Sequence, residues 1–333
     1  MRRFPALVIA VLGTVVTLTA CGSDSGDGDE LSASGEFGDK PEITVPSGDP
    51  SEELVVEVLS EGDGAAVASG DFLVVNYLGQ TWEPRDPADL PTETPPADPA
   101  ATETPTEDAE ADAENSDGPV PYIFDNSYDR GEPVGFPVGV GQLIPGWDEG
   151  LVGQNVGSRV LLSVPPEKGY GTQEGHDLAE DTLLFVVDII DAYNIDSEVP
   201  GEPVADLPDD LPTVTSEGAA EPVVEFPESA EPVSESTTDL LIAGDGADLG
   251  QNLIIRAVQA SYATGESQFS SWTEGSLTVI NVQQNPLPGM AEALEGQKVG
   301  SRVLVRIAAA DNVTEASPEG EPIAIVIDIV GTY

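Results

Sequence analysis

The chain has 333 residues, of which 62 are acidic and 11 are basic, and its formal net charge is −51. A charge of this sign and size repels nucleic acid and anionic lipid headgroups, which excludes nucleic-acid binding and attachment to a membrane through a basic patch. With one cysteine and one histidine, the chain has no internal disulfide and no Cys/His metal cluster. We expect neither a metal nor another cofactor.

The first 21 residues predict export and a lipid anchor. A positively charged Met-Arg-Arg start precedes an almost entirely apolar run over residues 4–18, which is the layout of a secretory signal peptide. The alternative is an uncleaved membrane helix with a chance cysteine, but the apolar run is short for a spanning helix. Residues 18–21, Leu-Thr-Ala-Cys, resemble a bacterial lipobox. We therefore expect a signal peptide over residues 1–20, lipidation at Cys21, and anchoring at the extracytoplasmic face of the cell membrane.

After a flexible tether over residues 21–39, the pattern predicts an α+β fold. The only convincing helical start falls at Trp147, and Gly153 ends that helix. We expect a curved antiparallel sheet wrapping this short helix, in a first domain that spans residues 40–193. Apolar or alternating runs bounded by Gly, Pro and Asp predict strands over residues 54–59, 72–79, 135–139, 160–164 and 182–190.

Two acidic stretches interrupt this pattern. Residues 83–118 are rich in Pro and Thr, and residues 194–238 contain no Lys or Arg. Neither stretch carries enough apolar side chains to build a core, so we expect both to be disordered or extended. The first is an insertion beside the site, and the second is a linker between domains. The insertion either selects clients by charge or, as we favour, is a tolerated surface loop.

The motifs that indicate function lie between Ile123 and Gly171. They are Phe124-Asp125, Val138-Gly139, residues 142–150 (Gln-Leu-Ile-Pro-Gly-Trp-Asp-Glu-Gly), residues 156–159 (Val-Gly-Ser-Arg) and Tyr170-Gly171. With residues 74–79 upstream and 182–185 downstream, they resemble, in the same order, the signature of FKBP-type peptidyl-prolyl cis-trans isomerases. The resemblance covers roughly residues 54–193. It implies that family's fold and its reaction, rotation about the peptide bond before proline.

Such a reaction requires neither a nucleophile nor a metal. The barrier is ~18–20 kcal/mol because rotation breaks the amide resonance, and a pocket that strips water from the carbonyl favours the twisted amide. Aromatic side chains around a few polar groups are typical of a ligand site, although taken singly each of them is as readily explained as core. We predict as catalytic residues Tyr77, Phe124, Asp125, Ile144, Trp147, Tyr170 and Phe185, and as substrate-binding residues Arg130, Val134, Phe136 and Leu143.

Individual roles follow for the polar groups. Asp125 either accepts a hydrogen bond from Tyr77 or pairs with Arg130, and the Ile144 N–H is a donor to the peptide. The resemblance implies that the Tyr170 hydroxyl donates to the substrate carbonyl. The single histidine, His176, lies in a polar loop where the family often carries an apolar Ile-Pro-Pro flap, and we expect it to be exposed. This difference affects peptide preference and the binding of FK506-like macrolides.

Beyond the linker the chain repeats itself. Residues 239–247 echo residues 57–65, and residues 296–304 match residues 153–161 with one substitution, which is a strong sign of internal duplication. Where the first copy has Leu-Ile-Pro-Gly-Trp, the second has Pro-Leu-Pro-Gly-Met, and we align Phe269-Ser270 with Phe124-Asp125. We predict that residues 239–333 form a degenerate FKBP-like domain without isomerase activity.

Two functions remain in competition. The first is a lipid-anchored peptidyl-prolyl isomerase that assists the folding of exported proteins, whose partners are proline-containing exported polypeptides. The second is a non-catalytic chaperone or surface scaffold that binds proline-containing segments. Retention of the full set of site residues in one copy favours the enzyme.

Overall fold

The computed structural model describes residues 30–89, 118–173, 175–284, 287–313 and 319–333. Within these ranges the chain forms two large antiparallel sheets, each with its own buried core and short helices, and two small two-stranded sheets. None of the helices there is long and apolar enough to cross a membrane. The predicted signal peptide, Cys21 and most of the acidic insertion lie outside the described residues.

The first half carries the predicted sheet. Its elements are β1 (Ser32–Ser34), β2 (Glu42–Thr44), β3 (Val55–Ser60), β4 (Phe72–Thr81), β5 (Ile123–Asn126), α1 (Ser127–Arg130), β6 (Val134–Pro137), α2 (Pro145–Leu151), β7 (Arg159–Val164) and β8 (Leu183–Tyr193). The strand order is β3-β7-β8-β4-β5, and β6 also pairs with β4. All five predicted strands are present with bounds within three residues of those expected, and α2 begins two residues before Trp147.

Helix α2 packs closely on one face of this sheet. A proline at its first position favours helix initiation, but seven residues are too few for a stable isolated helix, so packing must hold it. Two glycines allow the close approach. A Cβ atom at Gly146 would lie 2.5 Å from Cγ1 of Val164, and one at Gly150 would lie 2.8 Å from Cδ2 of Leu162. The core of the first half therefore lies between α2 and the sheet.

An N-terminal hairpin covers the opposite face of the sheet. β1 pairs with β2, and Ile43 packs with Leu78, Trp82 and other apolar side chains of that face. The Gly38 N–H also donates to Oδ2 of Asp188 at 2.6 Å. The expectation of a free tether as far as residue 39 is therefore wrong for residues 30–39. Alternate apolar side chains in this short segment pack against that face of the sheet.

The second half repeats this arrangement. Its elements are β9 (Glu202–Pro203), β10 (Thr213–Thr215), β11 (Val223–Glu225), β12 (Thr237–Ala243), β13 (Asn252–Ser261), β14 (Ser267–Ser270), α3 (Ser271–Glu274), β15 (Thr278–Asn281), α4 (Met290–Leu294), β16 (Arg302–Ile307) and β17 (Ile323–Thr332). The strand order is β14-β13-β17-β16-β12-β9, and β15 also pairs with β13. Strands β12-β16-β17-β13 stand where β3-β7-β8-β4 stand in the first sheet.

The repetition extends to irregular detail. The pairing of β3 with β7 shifts by one residue between Val58 and Ser60, and that of β12 with β16 shifts between Leu240 and Ile242. After both strands, a glycine N–H donates to the serine of the Val-Gly-Ser-Arg motif, at 2.8 Å in the first half and 3.0 Å in the second. The two halves therefore share their strand order, the position of this pairing shift and the hydrogen bond that follows it.

Residues 194–238 do not form a free linker. β9 pairs with the edge of β12, and the hairpin β10–β11 lies against the outer face of the second sheet, where Leu211 is buried with Leu241 and Leu304. The indole N–H of Trp272 donates to the carbonyl of Ala219 at 2.8 Å. The prediction of a disordered or merely extended linker was wrong, because a few apolar residues in an acidic, Pro-rich segment suffice to fix a hairpin on a preformed sheet.

The two halves share a buried apolar cluster. Phe72 and Val74 of β4 pack with Ile254, Leu277 and Val330 of the second half. The approach is close at Gly331, where a Cβ atom would lie 2.4 Å from the ring of Tyr193. The halves are thus joined by side-chain packing as well as by the chain between them.

Candidate functional site

An aromatic cluster surrounds Trp147, which extends from the first turn of α2 and is only 5% exposed. Its ring centroid lies 5.1 Å from that of Tyr77, 5.0 Å from that of Phe136 and 5.2 Å from that of Phe185. Phe124 lies 5.6 Å from Phe185. These are edge-to-face contacts, which the ring quadrupoles favour. The structure therefore brings the five predicted aromatic residues of this region into one apolar group.

Gly79 on β4 makes room for this group. A Cβ atom there would lie 2.8 Å from Cε2 of Phe124 and 2.9 Å from Cε1 of Phe185. Any side chain at this position would push one of the two rings aside. Gly79 was predicted only as part of a strand, and this steric role was not predicted.

The Asp125 carboxylate joins the polar groups of the site. One oxygen accepts from the Tyr77 hydroxyl, and the other accepts from Arg130 and, at 2.8 Å, from the Asn126 N–H. Both expected partners of Asp125 are thus engaged at once. A buried carboxylate with three donors is fixed in position, so it orients the two side chains that it holds.

Burial, together with the neighbouring Asp125 carboxylate, raises the pKa of Tyr77. The hydroxyl consequently stays protonated and remains a donor to Asp125. Burial alone lowers the pKa of Arg130, but the charge and hydrogen bond of Asp125, together with smaller contributions from Tyr77, outweigh burial, so the pKa of Arg130 is raised. The guanidinium also lies 5.8 Å from the centroid of the Tyr77 ring.

The half-buried residues Val134, Leu143 and Ile144 line the outer part of the aromatic group. The Ile144 N–H makes no hydrogen bond within the described part of the chain, so it is available to a ligand. The loop that precedes it is shaped by Asp148, whose carboxylate accepts from the N–H groups of Gly139 at 2.6 Å and Gly141 at 2.8 Å. Asp148 belongs to the motif at residues 142–150, but its role in shaping this loop was not predicted.

Tyr170 stands at the rim of the site, half-buried against the same core. Burial raises the pKa of its hydroxyl, with a smaller contribution from the Asp125 charge. In the described ranges this hydroxyl has no hydrogen-bond partner. The ring of His176 stacks on Tyr170 with centroids 4.0 Å apart and planes 13° apart, and its Nδ1 accepts from the Leu178 N–H at 3.1 Å. The expectation of an exposed His176 was wrong, since this loop folds back onto Tyr170.

The acidic insertion begins and ends beside that loop. Arg85 and Val120 form a bridge that closes its base. The Arg85 guanidinium pairs with Asp181 at 2.5 Å and lies 4.5 Å from the ring centroid of Tyr122. Residues 90–117 lie outside the described residues, so the structure does not test their predicted disorder.

Strand register identifies the matching positions in the second half. Gly79 pairs with Asp125 and Leu78 with Asn126, whereas Gln259 pairs with Phe269 and Val258 with Ser270. Phe269 therefore occupies the position of Asp125, and Ser270 occupies that of Asn126. Our alignment of the Phe-Ser pair with Phe124-Asp125 was wrong by one residue. Asn126 and Ser270 both cap the helix that follows.

Six of the predicted site residues of the first half have different residues at the matching described positions of the second. In register, the replacements are Ala257 for Tyr77, Gln268 for Phe124, Phe269 for Asp125, Glu274 for Arg130, Met290 for Trp147 and Ile325 for Phe185. Met290 and Ile325 join a purely aliphatic core. The second sheet thus keeps the scaffold without the aromatic and polar groups.

The arrangement in the first half can bind an apolar ring against Trp147 and offer hydrogen bonds to a peptide at the rim. Among the described residues, no three His, Cys, Asp or Glu side chains gather into a group that could hold a metal ion.

Comparison with known proteins points to one family. Residues 120–190 match the family described as FKBP-type peptidyl-prolyl cis-trans isomerase. The probable FK506-binding protein of Corynebacterium glutamicum is 32% identical over 155 residues, which are 46% of this chain and 99% of that protein. The FK506-binding protein of Streptomyces anulatus is 30% identical over 155 residues, 46% of this chain and 96% of that protein. The crystal structure of FkpA from Escherichia coli is similar over 42% of this chain and 47% of its own, at 29% identity and a TM-score of 0.28.

Proposed function

The chain belongs to the FKBP-type peptidyl-prolyl cis-trans isomerases and has their activity, and from this premise we propose that the reaction takes place in the aromatic site of the first half. One observation carries the proposal. Trp147, Tyr77 and Phe185 meet edge to face beside the buried Asp125 carboxylate, whereas the second half has none of these groups at the matching positions.

The proposed mechanism uses binding and desolvation alone. The prolyl ring packs against Trp147 and Phe185, which excludes water from the amide, and the twisted amide is then favoured because its carbonyl is less polarised by resonance. The Ile144 N–H and the Tyr170 hydroxyl donate to the peptide on either side. Asp125 transfers no proton. It holds Tyr77 and Arg130 and so keeps the walls of the site in place.

Removal of the Tyr170 hydroxyl tests this site. In a Tyr170→Phe variant of the full chain we expect kcat/KM on a short X-Pro peptide to fall about tenfold, the effect of one lost hydrogen bond of about 1–1.5 kcal/mol. The matched control is Tyr262→Phe, which deletes a buried hydroxyl in the second half and should leave the rate unchanged. Full activity of Tyr170→Phe would remove Tyr170 from the mechanism.

We also propose that the protein is a lipoprotein that assists the folding of exported, proline-containing polypeptides at the outer face of the cytoplasmic membrane. Support comes from the lipobox-like residues 18–21 and from the net charge of −51, which repels anionic headgroups and leaves the lipid to provide attachment. FK506-like macrolides are proposed ligands of the same site, because the relatives carry FK506 binding in their names.

Fractionation of cells tests the anchor. We expect the unaltered protein in the membrane fraction and a Cys21→Ser variant in the soluble extracytoplasmic fraction, since without the thiol there is no lipid attachment. Ser23→Ala, two residues away, is the control and should stay with the membrane. A Cys21→Ser protein that remained in the membrane would instead indicate an uncleaved membrane helix.

The second half is proposed to lack isomerase activity, since Met290 and Ile325 provide no aromatic floor and Phe269 replaces the carboxylate. Its proposed role is structural. Capture of client segments without turnover is a second candidate function of the whole chain, and an open sheet edge in the first half favours it.

A further inference from the structure

Strand β3 is the terminal strand of the first sheet. It pairs with β7 on one side, and among the described residues no strand lies along its other side. All three of its valines are exposed, Val55 by 39%, Val56 by 37% and Val58 by 42%. An exposed, apolar edge strand is a ready template for another extended chain.

The second half shows what this edge can hold. There, β9 runs along the free side of β12, pairing Pro203 with Ile242 and Glu202 with Ala243. The Val204 N–H donates to the carbonyl of Leu241 at 2.9 Å. The contact is close, since a Cβ atom at Gly201 would lie 2.3 Å from the carbonyl oxygen of Ala243. An extended, proline-containing segment is thus already seated on the edge of one of the two repeated sheets.

The matching place in the first half is vacant among the described residues. Val58 and Ser60 flank the same one-residue shift in pairing that Leu240 and Ile242 flank in the second half, so Leu59 stands where Leu241 stands. The carbonyl that Leu241 presents to Val204 has its counterpart in Leu59. The two edges therefore offer the same backbone geometry, one of them covered and one open.

A cleft of about 310 Å³ adjoins the open edge. It is lined by Val58, Glu61, Gly153, Gln154, Asn155 and Ser158. The lining residues 153–155 follow the end of α2, while Trp147 lies in its first turn. A helix of this length spans about 10 Å, a distance that three or four extended residues cover at about 3.3 Å each. One client chain can therefore reach both the edge and the aromatic site.

Charge decides between a client and a second copy of this chain. Residues 41–84 contain no Lys or Arg, and Glu57 and Glu61 lie on or next to the edge. Pairing of two such edges would bring like charges together, which is unfavourable. A segment that carries basic residues between apolar ones is attracted instead.

We propose that the free edge of β3, with the adjoining cleft, is a second binding site for the client polypeptide, which adds as an antiparallel strand and is selected for apolar and basic residues. The strand is held by backbone hydrogen bonds, so the site does not require proline. It retains the client beside the isomerase site and raises the local concentration of its X-Pro bonds.

A proline-free probe separates this site from the aromatic one. The probe is a fluorescein-labelled peptide of alternating Lys and Val, titrated against the full chain by fluorescence anisotropy. We expect it to bind more tightly than a matched peptide of alternating Glu and Val. In a Val58→Lys variant, Kd should rise about tenfold, the effect of losing one valine contact and placing a charge on the edge.

Two controls give the result its meaning. Val223→Lys changes an exposed valine of β11 and should leave Kd unchanged. Tyr170→Phe should also leave Kd unchanged, because the probe does not use that site. Equal affinity of Val58→Lys and the unaltered chain would overturn the proposal. So would sedimentation velocity that showed a dimer dispersed by Val58→Lys, because the occupant would then be a second copy.

Discussion

Replacement of Asp328 by alanine is expected to lower the free energy of unfolding by about 3–5 kcal/mol, the usual effect of breaking a buried ion pair. Asp328 on β17 is fully buried and accepts from Nε of Arg302 at 2.5 Å and from Nε of Arg256 at 3.1 Å. Burial lowers the pKa of Arg256, and the Asp328 charge opposes this. Without the carboxylate, two buried guanidinium groups face each other unneutralised.

Denaturant-induced unfolding of the full chain measures this effect. The control is Asp248→Ala, which removes the partner of Lys298 at a carboxylate that is 90% exposed. Exposed pairs contribute little, so this change should be within about 1 kcal/mol of the unaltered chain. If Asp328→Ala proved no more destabilising than the control, the two arginines would have to find other neutralising groups.

Replacement of Asp125 by alanine is expected to lower kcat/KM on X-Pro peptides about 10- to 100-fold, which corresponds to about 1.4–2.7 kcal/mol. The carboxylate is the shared acceptor of Tyr77, Arg130 and the Asn126 N–H. Its loss leaves the buried Tyr77 hydroxyl unpaired and frees both side chains to move. Since Tyr77 is in edge contact with Trp147, the Trp147 ring is also less firmly held in position.

Isomerisation kinetics on the full chain, together with circular dichroism to verify folding, provide the measurement. Glu149→Gln is the matched control, because this carboxylate lies on α2, is 53% exposed and pairs only with Lys168 among the described residues. It should retain full activity. An Asp125→Ala protein that is folded and fully active would show that the aromatic residues suffice without the polar network.

The sequence predicted the first sheet well because its strands alternate or are continuously apolar and are bounded by turn residues, as at Phe72–Thr81. The hairpins β1–β2 and β10–β11 were not predicted. Each strand in them has three residues, which is too few to show an alternation of apolar and polar side chains. The strands are ordered by packing on the sheet beneath them. The local sequence pattern indicates the secondary structure that a segment prefers by itself. These hairpins depend instead on a sheet surface formed elsewhere in the chain.

The site was predicted from short sequence motifs rather than from the periodic spacing of apolar residues. Trp147, Phe185 and Asp125 came from a recognisable order of residues, and the structure brings them together. The stacking of His176 on Tyr170 was missed because no spacing in a loop specifies where the loop folds back. The misplaced Phe269 shows a related limit: in a strand, a shift of one residue exchanges the two faces, and only pairing register can detect it.

The cluster that joins Phe72 and Val74 to Ile254, Leu277 and Val330 couples the packing of the first half to that of the second. The second half contributes no group to the proposed reaction, yet part of the first half is shielded from water by it. A side chain at Gly331, a residue far from the proposed substrate, would displace the Tyr193 ring and so disturb the packing of the first half. Substitutions in the second half can therefore alter the first half through packing alone, without any contact to the proposed site.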